Sequence, residues 1–390
     1  MTDFNHVYNR KGTNSVKWDA IDNMYHQEDL LPLWVADMDF RVHQPILDAM
    51  SACIEQGILG YTVTPDSLYE SIQQWQQKRN HYIVEKEAIL FNSGVVPSVA
   101  LAIQAFTEPE DGILINDPVY HPFAQVIKAN GRKVVRSSLY EKDGIFRIDF
   151  NDMEQQLKEQ NVKVFILCNP HNPGGRVWTK QELKQVGELC RKYGVLVISD
   201  EIHQDLIFSP AEFTTFNNVD ESFKDFSIIL TAATKTFNLA GIKNSMIFIH
   251  DSKLRKTFAD IQTLNQQSEI NTIGLVGTEA AYRHGEPWLE ELLLYLQKNF
   301  QTIQKFLTTE MPKVTMMKPE GTYLVWLDFS AYGLSDKQLE KLLVEEGKVI
   351  LNTGISFGPQ GSQHMRLNAA CPQETLIEGL KRIKKALTNS

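Results

Sequence analysis

The chain has 390 residues, 43% hydrophobic and 22% charged, the balance of an ordinary soluble globular protein. It exceeds the ~250 to 300 residues that a single hydrophobic core usually serves, so two domains are expected. With 39 basic against 48 acidic side chains the net charge is -9, and no basic run or aromatic-basic interleaving is present, which argues against nucleic acid as a partner.

The N-terminus, MTDFNHVYNRKG, has no apolar signal-peptide core, and no stretch approaches the ~18 to 20 apolar residues of a membrane span. A cytoplasmic protein without membrane contact is expected. The first 45 or so residues carry few regular signals and are expected to pack against a smaller domain or a partner chain. Short buried runs then follow at GILIND (112 to 117), KVVRSSL (133 to 139), VKVFILC (162 to 168), VLVISD (195 to 200), SIILTA (227 to 232) and NSMIFI (244 to 249). They are continuous rather than alternating, as strands covered on both faces should be. Thr179 and Glu182 read as a capping box opening a helix to about Tyr193. The pattern is α/β with a mostly parallel sheet.

From about Pro287 the texture changes. The amphipathic WLEELLLYLQKNFQTIQKFL is followed by VTMMKP, TYLVWLDF, a helix beginning near Ser335, KVILNTG, HMRLNAA and a final helix. This reads as a smaller α+β domain. The expected division is an N-terminal segment over 1–45, a large domain over 46–286 and a small domain over 287–390. Four cysteines, at 53, 168, 190 and 371, lack CxxC or metal-ligand spacing and read as reduced thiols; no metal site is expected.

In an open α/β sheet, ligands bind at the carboxyl ends of the strands. Lys235, in TAATKTFN, follows SIILTA; a desolvated amine there is a plausible Schiff-base nucleophile. Asp200 ends VLVISD, where a buried carboxylate can pair with a protonated pyridine nitrogen. Asn172, in NPHNP, can donate to a phenolic oxygen, and His203 lies within reach of the same oxygen or of Asp200. An amide, a carboxylate and an amine at three strand ends are the set needed to hold and charge pyridoxal 5'-phosphate. For the phosphate, NSGVVPSVALAIQAF (92 to 106) offers the amides of Gly94, Val95 and Val96 at a helix start, with the Thr234 hydroxyl beside them. Tyr120, in DPVYHPF, is placed to cover the ring. Each residue alone has a plainer reading: a solvated lysine, an N-capping aspartate, a turn-forming asparagine. Their order and shared strand-end placement favour the cofactor.

Further segments carry a resemblance: LPLWVADMDF (31 to 40), GILGYT (57 to 62), FNSGVV (91 to 96), PVYHPF (118 to 123), ILCNPHNPGGR (166 to 176), SDEIHQDL (199 to 206), TKTFNLAG (234 to 241) and HMRLNAA (364 to 370). Nearly end to end, the chain resembles fold-type I pyridoxal-phosphate enzymes of the class I/II aminotransferase superfamily, and within it the MalY/PatB group of cystathionine β-lyases. The resemblance implies Lys235 as the cofactor lysine, Asp200 as the ring-nitrogen partner, Asn172 as the phenolate partner and Tyr120 as the stacking aromatic. It implies Arg366 as the clamp on the substrate α-carboxylate, a task suited to a bidentate guanidinium. Tyr61 is implied to reach the phosphate of a neighbouring subunit, hence a homodimer with shared sites. Trp34, Ala36 and Tyr61 are expected along the substrate pocket.

Three positions depart from the common pattern. Lys243 stands where an arginine on the phosphate is frequent, Ala232 where a serine is frequent, and Ala36 where aminotransferases commonly have glycine. The implied reaction is β-elimination: Lys235, freed by the substrate amine, removes the Cα proton, and the substrate loses its β-thiolate. The products from a thioether such as cystathionine are a thiol, pyruvate and ammonia. The alternative is an aminotransferase of a small or aromatic amino acid, which shares the steps through proton abstraction.

Overall fold

The structure, a computed structural model, describes residues 2–388. Met1 and residues 389 and 390, the outermost positions of the first and last expected domains, lie outside the described residues. In chain order the first nine strands are β1 (Leu31–Pro32), β2 (Ile89–Asn92), β3 (Gly112–Asp117), β4 (Lys133–Lys142), β5 (Ile145–Ile148), β6 (Val162–Cys168), β7 (Leu196–Asp200), β8 (Ser227–Thr231) and β9 (Ser245–Phe248). All but β1 form one eight-stranded sheet in the order β2-β9-β8-β7-β6-β3-β4-β5.

The central pairings among β4, β3, β6, β7 and β8 are parallel. The edges are antiparallel: β9 on β8, β2 on β9 and β5 on β4. Strands β3, β7 and β8 are buried at every position, which is why their sequences show apolar runs without alternation. The run at 244 to 249 forms the antiparallel β9. Its connection from β8 is a four-residue helix (Ala233–Thr236) and a 3₁₀ turn (Ala240–Ile242) that double back at one end of the sheet instead of crossing a face. The start of β9 therefore meets the carboxyl ends of the parallel strands, and so does the end of β2.

Apolar side chains fill both faces of this sheet. On one, Val99, Ile103, Ile115, Ile166 and Ile198 are fully enclosed in a cluster that includes the helix Val95–Phe106. Enclosing each such side chain contributes about 1.5–3 kcal/mol, so the strand ends bearing the site rest on a stiff support. The helix Lys180–Tyr193 opens on the Thr179–Glu182 capping box and closes on Gly194, whose φ of 66° is the left-handed conformation glycine adopts without strain.

The remaining strands are β10 (Thr315–Met316), β11 (Leu324–Asp328), β12 (Val349–Ile350), β13 (Asn352–Thr353) and β14 (His364–Asn368). A four-stranded antiparallel sheet runs β10-β11-β14-β13. The long helix Glu286–Glu310, the helix Asp336–Glu345 capped by Ser335 and the helix Gln373–Thr388 accompany it. β1 pairs in parallel with β12, Leu31 opposite Val349, which ties the N-terminal segment to the C-terminal part of the chain.

Candidate active site

At the carboxyl ends of the parallel strands lies a cavity of about 440 Å³. Its lining brings together Ala36, Gly94, Val95, Val96, Tyr120, Asn172, Asp200, His203, Thr234 and Lys235, ten of the residues singled out from sequence. Ser93, Cys168, Ile202, Lys243 and Asn244 complete much of the wall.

Lys235 rides on the short helix after β8. That helix is pinned from behind: the Thr236 hydroxyl donates to Asp205 Oδ2 at 2.8 Å, and Asp205 Oδ1 accepts from Trp75 Nε1 at 3.0 Å. The Lys235 amine donates to the Ala36 carbonyl at 2.6 Å. Burial, and then the nearby Arg366 cation, push its pKa down to about 8. Desolvation disfavours the ammonium, so an uncharged amine is accessible near neutral pH.

Asp200 closes β7 and is buried. One of its oxygens accepts from the Ile202 N–H at 3.1 Å, and burial pushes the carboxyl up to about 7. A carboxylate so enclosed needs a cation to hold its charge. His203, three residues on, is buried with Nδ1 lacking a partner, and burial holds its imidazolium well below the usual range, so the ring is neutral. Cys168, opposite Asp200 across the β6–β7 pairing, underlies the same wall.

Asn172 belongs to the NPHNP loop, in which the Trp178 N–H donates to Asn169 Oδ1 at 3.1 Å and the Gly175 N–H donates to the His171 carbonyl at 2.8 Å. Asn172 Oδ1 accepts from Arg366 Nη1 at 2.9 Å, which leaves the side-chain NH₂ as the group Asn172 can offer. Arg366, on β14, also donates through Nη2 to the Trp34 carbonyl at 2.9 Å and to Asn352 Oδ1. Its guanidinium carbon lies 4.8 Å from the centroid of the Phe357 ring, and Nε has no partner. Among the described residues no carboxylate pairs with this buried cation, and burial brings its pKa down to about 10. It does not line the cavity itself but joins it through Asn172.

At the opposite wall, the helix Val95–Phe106 starts after Gly94 with no side-chain cap, so its first amides keep their donor capacity for an anion. Thr234 and Lys243 line this end. Lys243 sits on a left-handed turn, φ 52°, that closes the 3₁₀ turn before β9. Ala232 is buried at the start of the Lys235 helix and brings no hydroxyl.

Two expected pocket residues lie elsewhere. The Trp34 indole N–H donates to the Lys17 carbonyl at 3.1 Å, and its ring packs against the cluster of Ile21, Leu30, Val344 and Ile350. Trp34 is half-buried, and with its N–H on the Lys17 carbonyl and its ring in that cluster it does not line the cavity; its carbonyl meets Arg366 instead. Tyr61 is fully exposed and borders a separate surface depression with Glu269 and Asn271, so it forms no wall of its own chain's cavity.

Tyr323 also belongs with the site residues: it is buried and donates from its hydroxyl to the Ala36 carbonyl at 2.9 Å. In TYLVWLDF it reads as one more apolar strand residue, and no spacing signal marks it. Asn368 is similar: its Nδ2 donates to the carbonyls of Val35 and Asp37, both at 2.6 Å.

The family model for aminotransferase class I and II matches residues 28–383. Cystathionine beta-lyase PatB of Bacillus subtilis (strain 168) is 46% identical over 379 residues, covering 97% of this chain and 98% of the relative. Among solved structures, cystalysin from Treponema denticola, which contains a pyridoxal 5'-phosphate cofactor, superposes with a TM-score of 0.97 at 34% identity, covering 100% of this chain and 99% of the other. The PLP-bound C-S lyase from Staphylococcus hominis gives 0.92 at 32% identity, covering 99% and 98%.

Proposed function

The chain belongs to the aminotransferase class I and II family, and from that premise we propose that it is a pyridoxal-phosphate-dependent carbon-sulfur β-lyase. Its substrate class is cystathionine or a related cysteine S-conjugate, cleaved to a thiol, pyruvate and ammonia. The observation that carries this reading is one cavity holding an amine pushed down to about 8, a buried carboxyl that makes no salt bridge among the described residues and a helix start without a side-chain cap. The lyase names of its relatives give the direction of the chemistry.

These groups fit pyridoxal 5'-phosphate. Asp200 suits a protonated ring nitrogen, the Asn172 NH₂ suits the phenolic oxygen, and Tyr120 suits the ring face. The amides after Gly94, with Thr234 and Lys243, suit the phosphate. When bound, the cofactor supplies an electron sink for the negative charge that develops at the substrate Cα.

The chain's own residues do the rest. Arg366, a buried cation that no carboxylate among the described residues pairs with, takes the substrate carboxylate and fixes the Cα–H bond relative to Lys235. Lys235, with its amine already half-neutral near pH 8, removes the Cα proton as general base. Loss of the β-thiolate follows, and neutral His203 leaves the charge of Asp200 unopposed for the ring nitrogen. Asp205, through Thr236, keeps the lysine helix in place.

A homodimer belongs to the same reading. Ile54, Ile58, Leu59, Tyr61 and Val63 form an exposed apolar run, the kind of surface that marks a protein interface, and Tyr61 reaches the phosphate end of a partner's cavity. The division into 1–45, 46–286 and 287–390 is supported by the confinement of the eight-stranded sheet to 89–248 and of the four-stranded sheet to 315–368. A cytoplasmic setting is supported by four free cysteines. No helix among the described residues is long and apolar enough to cross a membrane. The functional test is turnover of a cysteine thioether by cofactor-loaded protein with no oxoacid present: a lyase proceeds, whereas a transaminase stops after one half-reaction.

A further inference from the structure

The stretch 34–38, of which Ala36 lines the cavity, has its carbonyls held one after another by side chains. Arg366 donates to the Trp34 carbonyl at 2.9 Å, Asn368 to those of Val35 and Asp37 at 2.6 Å, and Asn238 to that of Met38 at 3.0 Å. The Ala36 carbonyl differs from these neighbours in accepting from two ionisable groups at once, the Lys235 amine at 2.6 Å and the Tyr323 hydroxyl at 2.9 Å. Its direction is set by Asn368 on both sides, so it is fixed whether or not Tyr323 contributes.

We propose that the Ala36 carbonyl is the resting place of the Lys235 amine whenever that amine is not covalently engaged, and that Tyr323, donating to the same oxygen, limits how firmly the amine is held there. The proposal rests on the reading of Lys235 as the lysine that engages the cofactor. A carbonyl oxygen already polarised by one donor is a weaker acceptor for a second. An ammonium gains more from a strong acceptor than a neutral amine does, so an undivided Ala36 carbonyl retains the charged, unreactive form. Tyr323 is a positioning residue in this sense: it touches neither substrate nor cofactor and acts through a backbone oxygen. Burial holds its phenol well above the ordinary range, so it remains a donor throughout the working pH range. The other charges around the amine, Arg366, Asp200 and Asp37, are unchanged by a substitution at Tyr323.

The experiment uses cofactor-free protein. Wild type and Tyr323→Phe are mixed with pyridoxal phosphate near neutral pH, and the rate of lysine linkage is followed by absorbance. In parallel, acylation of Lys235 is followed against pH by peptide mass spectrometry. Tyr323→Phe leaves no buried donor or acceptor stranded, and it should link the cofactor about 2- to 10-fold more slowly, the worth of one net hydrogen bond, with the acylation midpoint moved to higher pH. Equal or faster linkage, or an unmoved or lower midpoint, overturns the proposal. A crystal structure of the cofactor-free wild type gives a second check: Lys235 Nζ on the Ala36 oxygen supports it, and Nζ elsewhere overturns it. A wild type that links no cofactor at Lys235 defeats the functional reading itself, a result distinct from equal rates in the two proteins.

Discussion

Arg366 Nη1 donates to Asn172 Oδ1 at 2.9 Å, so the candidate clamp for the substrate carboxylate and the candidate partner of the cofactor oxygen are bonded to each other. One residue lies on β14 in the C-terminal sheet and the other in the loop after β6. A substrate carboxylate that draws on Arg366 would therefore also act on Asn172, the amide proposed to hold the cofactor oxygen. Arg366→Lys keeps the charge but loses the fork that spans Asn172, the Trp34 carbonyl and a ligand. The expected effect is a KM raised at least about tenfold for a thioether amino acid, with a smaller change in kcat. Steady-state kinetics check it; a fall in kcat alone would place the carboxylate elsewhere.

On the proposed reading, Lys235→Ala removes both the linking amine and the general base. Turnover should fall by at least about a thousandfold, the range expected of a lost general base. The protein should stay folded, because the helix anchor runs through Thr236 and Asp205 rather than through the lysine. Melting temperature and residual activity, measured together, separate this from simple unfolding.

Asp200 gives a pH signature in the cofactor-free protein. Its folded pKa, about 7, lies above the usual carboxylate value because the site is buried. The folded state therefore holds the proton more tightly, so the stability it contributes is full below about pH 4 and is lost as pH rises through about 7. Asp200→Asn removes that dependence, and its melting temperature should gain on the wild type between about pH 4 and about pH 7 and level off above that. Comparing the two proteins at each pH cancels most of what other groups add. A constant difference across the range would mean that Asp200 is charged without its ligand.

Tyr61 tests the dimer. Tyr61→Ala should weaken cofactor retention, although this residue lies outside its own chain's cavity. Mixing Tyr61→Ala with Lys235→Ala subunits should restore activity, since each mixed dimer then contains one site with both residues intact. Sedimentation gives the assembly state, and an inactive mixture of proven mixed dimers would assign Tyr61 to no shared site.

The legible parts of this molecule are those governed by local rules. Buried runs such as GILIND and SIILTA announce strands, and Thr179 with Glu182 announces the helix they cap. The position of Lys235, Asp200 and Asn172 at strand ends follows from the open-sheet rule, and the cavity does gather them. What the sequence conceals is set by partners distant along the chain. The Trp34 ring packs away from the cavity with its N–H on the Lys17 carbonyl, and Tyr323 is tied to the site because a backbone oxygen 287 residues earlier accepts a hydrogen bond from its hydroxyl. The antiparallel course of β9 depends on a tight return after Lys235, which an apolar run alone does not encode.

The central claim is tested most directly by incubating purified, cofactor-loaded protein with L-cystathionine and no oxoacid, then measuring pyruvate and free thiol together. Continuous release of both in equal amounts is the expected result. Turnover of a cysteine thioether only when an oxoacid is added, with no thiol set free, would contradict the lyase assignment and leave a transaminase in its place.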